Sequence, residues 1–227
     1  MLYGRAIINL WRNPLKKIRV VTATSLFDGH DASINIFRRL FQKQGFEVIH
    51  LGHNRSVLEV VDTAIEEDAN AILVSSYQGG HNEYYTYVID LLKEKKAEHI
   101  LVFGGGGGVI LPTEIKKLEA YGVARIYHAD IGRQLGIHGI VDEIQQQITK
   151  KVALKNEIDD LRFIDIDSLN TGSVKKISKL ISFSENYGDN PAFIECKKHI
   201  KVKSESQKQS LVLGITGTAG SGKSRSE

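Results

Sequence analysis

At 227 residues with 41% hydrophobic content, the chain holds enough apolar surface for one α/β domain of ordinary size and a remainder. Lys and Arg total 30 against 27 Asp and Glu; the resulting charge of +3 is too small to imply nucleic acid, and no apolar run is long enough to span a bilayer. The single Cys196 excludes an intramolecular disulfide framework and fits a reducing cytoplasm.

Residues 1–16 read as an N-terminal extension. Its opening MLYGRAIINLW is too short and interrupted for a signal peptide and lacks a small-residue cleavage site, which leaves a short docking helix or a non-native addition. An alternation of strands and helices then begins. IRVVTAT (18–24) is a β-branched apolar run, and INIFRRLF (34–41) has helical spacing. Between them lies SLFDGHDAS (25–33), which places Asp28 and His30 at a strand's carboxyl end, where open α/β sheets bind ligands. An Asp two residues before a His suits a metal ligand, because the carboxylate can accept one ring N–H and leave the other nitrogen's lone pair free.

The alternation repeats with strands predicted at 45–51, 71–76, 99–103 and 124–128, and helices at 56–65 (Ser56 as cap), 81–95, 112–121 (Pro in the first turn) and 132–148. Five near-continuous apolar strands, each followed by a helix, predict a doubly wound parallel sheet of the flavodoxin-like kind over residues 17–149. The loops after strands one, three and four then share one edge. The third loop offers Ser75, Ser76, Tyr77, Gly79 and Gly80, and the fourth offers Gly104, Gly105, Gly106, Gly107 and Gly108. One or two glycines satisfy a tight turn, so five imply a large flat or elongated ligand against bare backbone; bulky residues at Gly106 and Gly107 are expected to obstruct it without unfolding the sheet.

Residues 150–209 read as a partly helical connector with weak amphipathic stripes, a turn cluster at 187–191, and a solvated basic stretch at Lys197, Lys198, Lys201, Lys203 and Lys208. SLVLGIT (210–216) then reads as a new buried strand, and GTAGSGKS (217–224) matches the phosphate-binding G-x-x-x-x-G-K-[ST] loop: Gly217, Gly220, Gly222 and Lys223 would cradle phosphates and the Ser224 hydroxyl would meet magnesium. Residues 210–227 are therefore expected to be the start of a P-loop nucleotide-binding domain. With three residues after Ser224, this chain is expected neither to hold a nucleotide tightly, GTP in the G-protein case that the resemblance below implies, nor to hydrolyse it.

These motifs together resemble the cobalamin-binding domain of adenosylcobalamin-dependent acyl-CoA mutases, the methylmalonyl-CoA mutase family. Its pattern D-x-H-x-x-G, S-x-L, G-G is met by Asp28 and His30, with Ser33 in place of glycine, Tyr77 in place of leucine after Ser75, and five glycines where two are usual. The strings SLFDGHDASINI, LGHNRSV, SSYQGGH, FGGGGGVI and YGVARIY look closest to members fused to a G-protein chaperone. The resemblance implies adenosylcobalamin bound with His30 on cobalt, Asp28 orienting that imidazole, and Ser33, Ser75, Tyr77 and the glycines (Gly79, Gly80, and Gly104 through Gly108) lining the slot for the nucleotide tail. It further implies an acyl-CoA substrate barrel and a G-protein domain, binding GTP and magnesium, in the same full-length chain; a homodimer; and no catalytic residue in this part, which should hold cofactor without turnover. Competing readings are a flavin module using Thr22, Thr24 and Ser25, a methyltransferase cobalamin module, a zinc or iron hydrolase using Asp28, His30 and His81, and a response-regulator receiver, which lacks its aspartate because Ser75 stands there.

Overall fold

The computed structural model describes residues 17–153, 166–170 and 172–206. The predicted N-terminal extension, the strand at 210–216 and the P-loop at 217–224 lie outside the described residues.

Five parallel strands, β1 (Arg19–Ser25), β2 (Glu47–Arg55), β3 (Ala71–Ser75), β4 (Leu101–Gly105) and β5 (Arg125–Tyr127), pair in the order β2-β1-β3-β4-β5. The chain order reverses between β1 and β3, so the loops that leave their carboxyl ends diverge there and open a crevice. Every residue of β1 and β3 is buried, as expected of central strands covered on both faces. On one face α2 (Val57–Glu66), α3 (His81–Glu94) and α4 (Pro112–Tyr121) pack on Val21, Ile72, Val74, Val102 and Ile126. On the other, α1 (Ala32–Lys43) and α5 (Ala129–Ala153) pack on Val20, Leu73, Phe103 and Tyr127. Fully burying a large side chain such as Phe41 or Phe103 contributes about 1.5–3 kcal/mol, so the two faces rather than local propensity hold the sheet.

Local signals read from sequence have physical counterparts. Ser56 caps α2 in a reciprocal box, its Oγ accepting from the Glu59 amide at 3.3 Å while Glu59 accepts from the Ser56 amide at 2.9 Å. Pro112 opens α4 as expected. β2 runs on to Arg55 because its pairing with β1 shifts register twice, at Thr22/Ala23 and Ala23/Ser25, a device that hydrophobicity does not announce. The predicted helix at 132–148 is longer, spanning Ala129–Ala153, and is broken by Gly136 at φ 66°.

The connector is a docked helix pair rather than a loose linker. α6 (Val174–Tyr187) lies against α2, with Ser178 Oγ donating to the Ile65 carbonyl at 2.9 Å, and α7 (Pro191–Ser206) closes on it through Leu180, Phe183 and Phe193. Of the basic stretch expected to be a solvated linker, Lys197, Lys198, Lys201 and Lys203 stand in α7, and Lys208 lies outside the described residues. Arg19 is the anchor. Buried at the start of β1, it donates to the Glu67 carbonyl at 2.5 Å and to Ser182 Oγ at 3.2 Å, and pairs with Glu47 and Glu185 at 3.0 Å each. Arg19→Ala should weaken α6 docking by about 1–3 kcal/mol, since it deletes charge-assisted bonds. Hydrogen exchange should show α6 amides exchanging faster while β1 and β3 amides keep their protection; equal loss in the sheet would mean that Arg19 supports the strand and not the docking.

Candidate functional site

Asp28 lies just after β1 with no accessible surface. The turn is held by two non-glycine residues in the left-handed region, Phe27 at φ 62° and Asn54 at φ 56°. They clasp each other: Asn54 Oδ1 accepts from the Phe27 amide at 2.8 Å, and the Asn54 amide donates to the Asp28 carbonyl at 3.2 Å. Asparagine tolerates this conformation and phenylalanine does not, so the loop is over-determined by its surroundings. Asn54 was not foreseen from sequence, since a polar residue late in a strand carries no signature.

The buried Asp28 carboxylate has three donors. Oδ1 accepts from the His30 amide at 2.9 Å and from His30 Nδ1 at 2.8 Å, and Oδ2 accepts from the Tyr77 amide at 2.5 Å. Burial alone would push its pKa up, but the amides of Tyr77 and His30 and the His30 ring together hold it below the ordinary carboxylate value. An ionised carboxylate only accepts, so Nδ1 donates its N–H to it, and Nε2 is the ring nitrogen left for a ligand. The His30 side chain is 70% exposed, which presents Nε2 to solvent.

Beside His30 a cavity of about 450 Å³ runs down between the sheet and helices α1 and α5. Its rim ring is Tyr77, whose centroid lies 5.8 Å from that of His30. Ser33, Ser75, Gly104, Gly105, Gly106 and Gly107, all candidate residues from the sequence, line it. Ser33 Oγ and Ser75 Oγ are 3.1 Å apart. Phe37, Leu73, Phe103, Tyr127, His128 and Arg133 also line it and were missed, because in sequence they are indistinguishable from core or helix-surface residues. Gly79, Gly80 and Gly108 are not part of the lining; Gly80 instead starts α3 at φ 111°.

The five glycines have separate causes. A Cβ at Gly104 would lie 2.6 Å from the hydroxyl of the wholly buried Tyr85, on the α3 side of the sheet. At Gly106 it would meet the Ser76 carbonyl at 1.9 Å, and Gly107 sits at φ 58° with Tyr77 Cε1 2.8 Å from its would-be Cβ. The protein's own atoms thus require these three, which corrects the expectation that Gly106 and Gly107 could be enlarged at no cost to the fold. Gly105 differs. Its Cβ would make an ordinary 3.6 Å contact with the Tyr127 carbonyl, and strand alternation places it on the face of Phe103, toward the cavity. Across the sheet it is in register with Ser75, which in turn pairs with Thr24, a buried hydroxyl without a hydrogen-bond partner.

Of the three hydroxyls of the flavin reading two are engaged, Thr22 Oγ1 lying 2.9 Å from His50 Nδ1 and Ser25 Oγ donating to Ser76 Oγ at 2.9 Å, and the third, on Thr24, has no accessible surface. His81 is paired with Glu114, and among the described residues no group of three His, Cys, Asp or Glu side chains could hold a metal by itself.

The B12 binding domain profile matches residues 18–133. The fused isobutyryl-CoA mutase of Cupriavidus metallidurans is 50% identical over 215 residues, covering 94% of this chain and 19% of that protein. Its counterpart in Geobacillus kaustophilus is 48% identical over 214 residues, with 93% and 19% covered. The 2-hydroxyisobutanoyl-CoA mutase small subunit of Aquincola tertiaricarbonis is 32% identical over 140 residues, 60% of this chain and 96% of that one. The chain thus spans about a fifth of the length of the fused relatives.

Gly105 and Gly106 separate ligand space from internal packing. Gly105→Val should keep the circular dichroism and melting of the parent while weakening binding of a ligand that enters the cavity by about 10–100-fold, the equivalent of 1–3 kcal/mol of overpacking. Gly106→Val should lower the melting temperature before any ligand is added. Equal loss of stability in both would place Gly105 among the packing glycines.

Proposed function

The chain belongs to the B12-binding domain family, and from that premise we propose that it is the cobalamin-binding part of a larger adenosylcobalamin-dependent acyl-CoA mutase, of the isobutyryl-CoA/n-butyryl-CoA carbon-skeleton type. The observation that carries the reading is the buried Asp28 carboxylate, which holds His30 by Nδ1 and leaves Nε2 as the outer nitrogen of an exposed ring beside a deep cavity. The residues fit a corrinoid on two counts: one imidazole offers a single nitrogen donor to cobalt, and the neighbouring cavity is walled largely by apolar side chains and glycine, with the Ser33 and Ser75 hydroxyls among them.

In this reading His30 holds the cobalt, Asp28 supports it, and the cavity at Ser33, Ser75, Tyr77 and Gly105 receives the nucleotide tail. The bound cofactor supplies radical chemistry through its cobalt–carbon bond; the protein supplies binding and orientation. Asp28 keeps the Nδ1 proton in place, so His30 remains a good donor without a counter-charge having to move. None of the described residues is assigned a role in acyl-CoA turnover. The exposed apolar side chains around the site, Leu26, Phe27, Val109 and Leu111, suit cover by a substrate domain in the same full-length chain.

The P-loop sequence at Gly217, Gly220, Gly222, Lys223 and Ser224 fits a G-protein domain that in the full-length protein binds GTP with magnesium and serves cofactor loading. A homodimer and a cytoplasmic setting belong to the same proposal. No described helix is long and apolar enough to cross a membrane.

Cobalt(II) cobalamin bound to the protein should show magnetic coupling to one histidine nitrogen, and His30→Ala should abolish it. Asp28→Asn should retain the coupling but weaken binding by about 10–100-fold, as for loss of a group that orients a metal ligand. An unchanged nitrogen signal in His30→Ala would assign the cobalt to another group.

A further inference from the structure

His81, unlike His30, is buried, and the cobalt reading leaves it without a role. It opens α3, is 6% exposed, and has an acceptor at each ring nitrogen: the Gln78 carbonyl is 3.2 Å from Nδ1, and Glu114 Oε2 is 3.0 Å from Nε2. Neither partner can donate, since a carbonyl and a carboxylate only accept, so it is the ring that donates to them. Glu114 gathers further donors. It accepts also from the Leu111 amide and from Asn82 Nδ2, at 2.8 Å each, and these bonds with His81 bring its pKa down to about 2. These hydrogen bonds tie the first turn of α3 to the first turn of α4.

The tie closes a loop that matters elsewhere. Gln78, which His81 grips, follows Tyr77, whose amide donates to Asp28 Oδ2. The base of the same loop is fixed to the glycine segment by the Ser76 amide on the Gly105 carbonyl at 2.7 Å. Only a few residues, two of them the conformationally free Gly79 and Gly80, separate Tyr77 from α3, so without the grip on Gln78 they would let the loop swing.

We propose that His81 and Glu114 are positioning residues: their hydrogen-bonded contact clamps the Tyr77 loop so that its amide stays on Asp28 and the His30 ring stays in its Nδ1–H form. The relevance of that form rests on the cobalt reading, but the clamp exists in the cofactor-free protein and is tested there. Disturbing it lets the Tyr77 amide leave Asp28, and the carboxylate, with one donor fewer, no longer holds the imidazole in one orientation.

The test is ¹⁵N NMR of the cofactor-free chain with labelled histidine. The parent should show His30 in a single tautomer, Nδ1 protonated and Nε2 bare. His81→Gln and Glu114→Gln should each shift the two His30 nitrogens toward the averaged values of a free imidazole, with hydroxocobalamin binding weakened by about 10-fold, the low end for loss of an outer support. Asp28→Asn supplies the reference for a His30 freed of its carboxylate. Glu114 is partly exposed, so Glu114→Gln tests the same link without leaving a new group deeply buried. A lower melting temperature with His30 nitrogens unmoved in both variants would make His81 and Glu114 packing residues and overturn the proposal. Failure of His30→Ala to lose the cobalt coupling would instead remove the cobalt reading and leave the clamp standing.

Discussion

A carboxylate with no accessible surface, satisfied by three donors, is the constraint on which the site depends. Burying Asp28 without partners would cost several kcal/mol, and the side chain would take up a proton instead. Its donors come from two loops: the backbone and ring of His30 after β1, and the amide of Tyr77 after β3. Those loops meet because β1 and β3 are adjacent strands at the point where the sheet's order reverses. The topology therefore creates the crevice, and the carboxylate turns it into a fixed arrangement with one imidazole nitrogen facing outward.

The same economy of space explains the glycines. A ligand cavity beside a sheet edge requires loops to approach one another closely, and at Gly106 and Gly107 that approach is between backbone and backbone or backbone and ring. Glycine there is a condition for the loops to lace, and lacing in turn fixes the walls that a ligand meets. Gly105 is the exception, since its missing side chain leaves room on the cavity face. One run of identical residues thus serves three ends: a tyrosine packed behind the sheet, loop closure, and space for a ligand.

Much of the fold was legible because a central parallel strand buried on both faces has a composition nothing else shares, and because Ser56, Pro112 and the glycine loops mark where elements begin and end. The parts that were not legible have physical reasons. The extended end of β2 depends on register shifts set by its partner strand, and α7 is a lysine-rich helix whose stability comes from Leu180, Phe183 and Phe193 rather than from its own pattern. In the site, Asp28 and His30 announce themselves by spacing, since a two-residue loop step is local chemistry. Phe37, Tyr127 and His128 do not, because lining a cavity is a property of three dimensions and each would read equally well as core or surface.

The exposure of His30 and the burial of its support are two sides of one requirement. A ligand to a metal that arrives from solvent has to be reachable, yet an exposed imidazole on a loop would sample both tautomers and many orientations, and each lost alternative costs binding energy at the moment of capture. Placing the carboxylate inside and the ring outside settles those alternatives when the chain folds, before any ligand arrives. The left-handed Phe27 and Asn54 belong to the same settlement, for strain held at a turn persists only where surrounding bonds over-determine it, and here they do: Asn54 grips the chain on both sides of the turn, at the Phe27 amide and the Asp28 carbonyl. The cost of an ordered site is thus met by the folding of the sheet, and the ligand's own binding energy is left to hold the ligand.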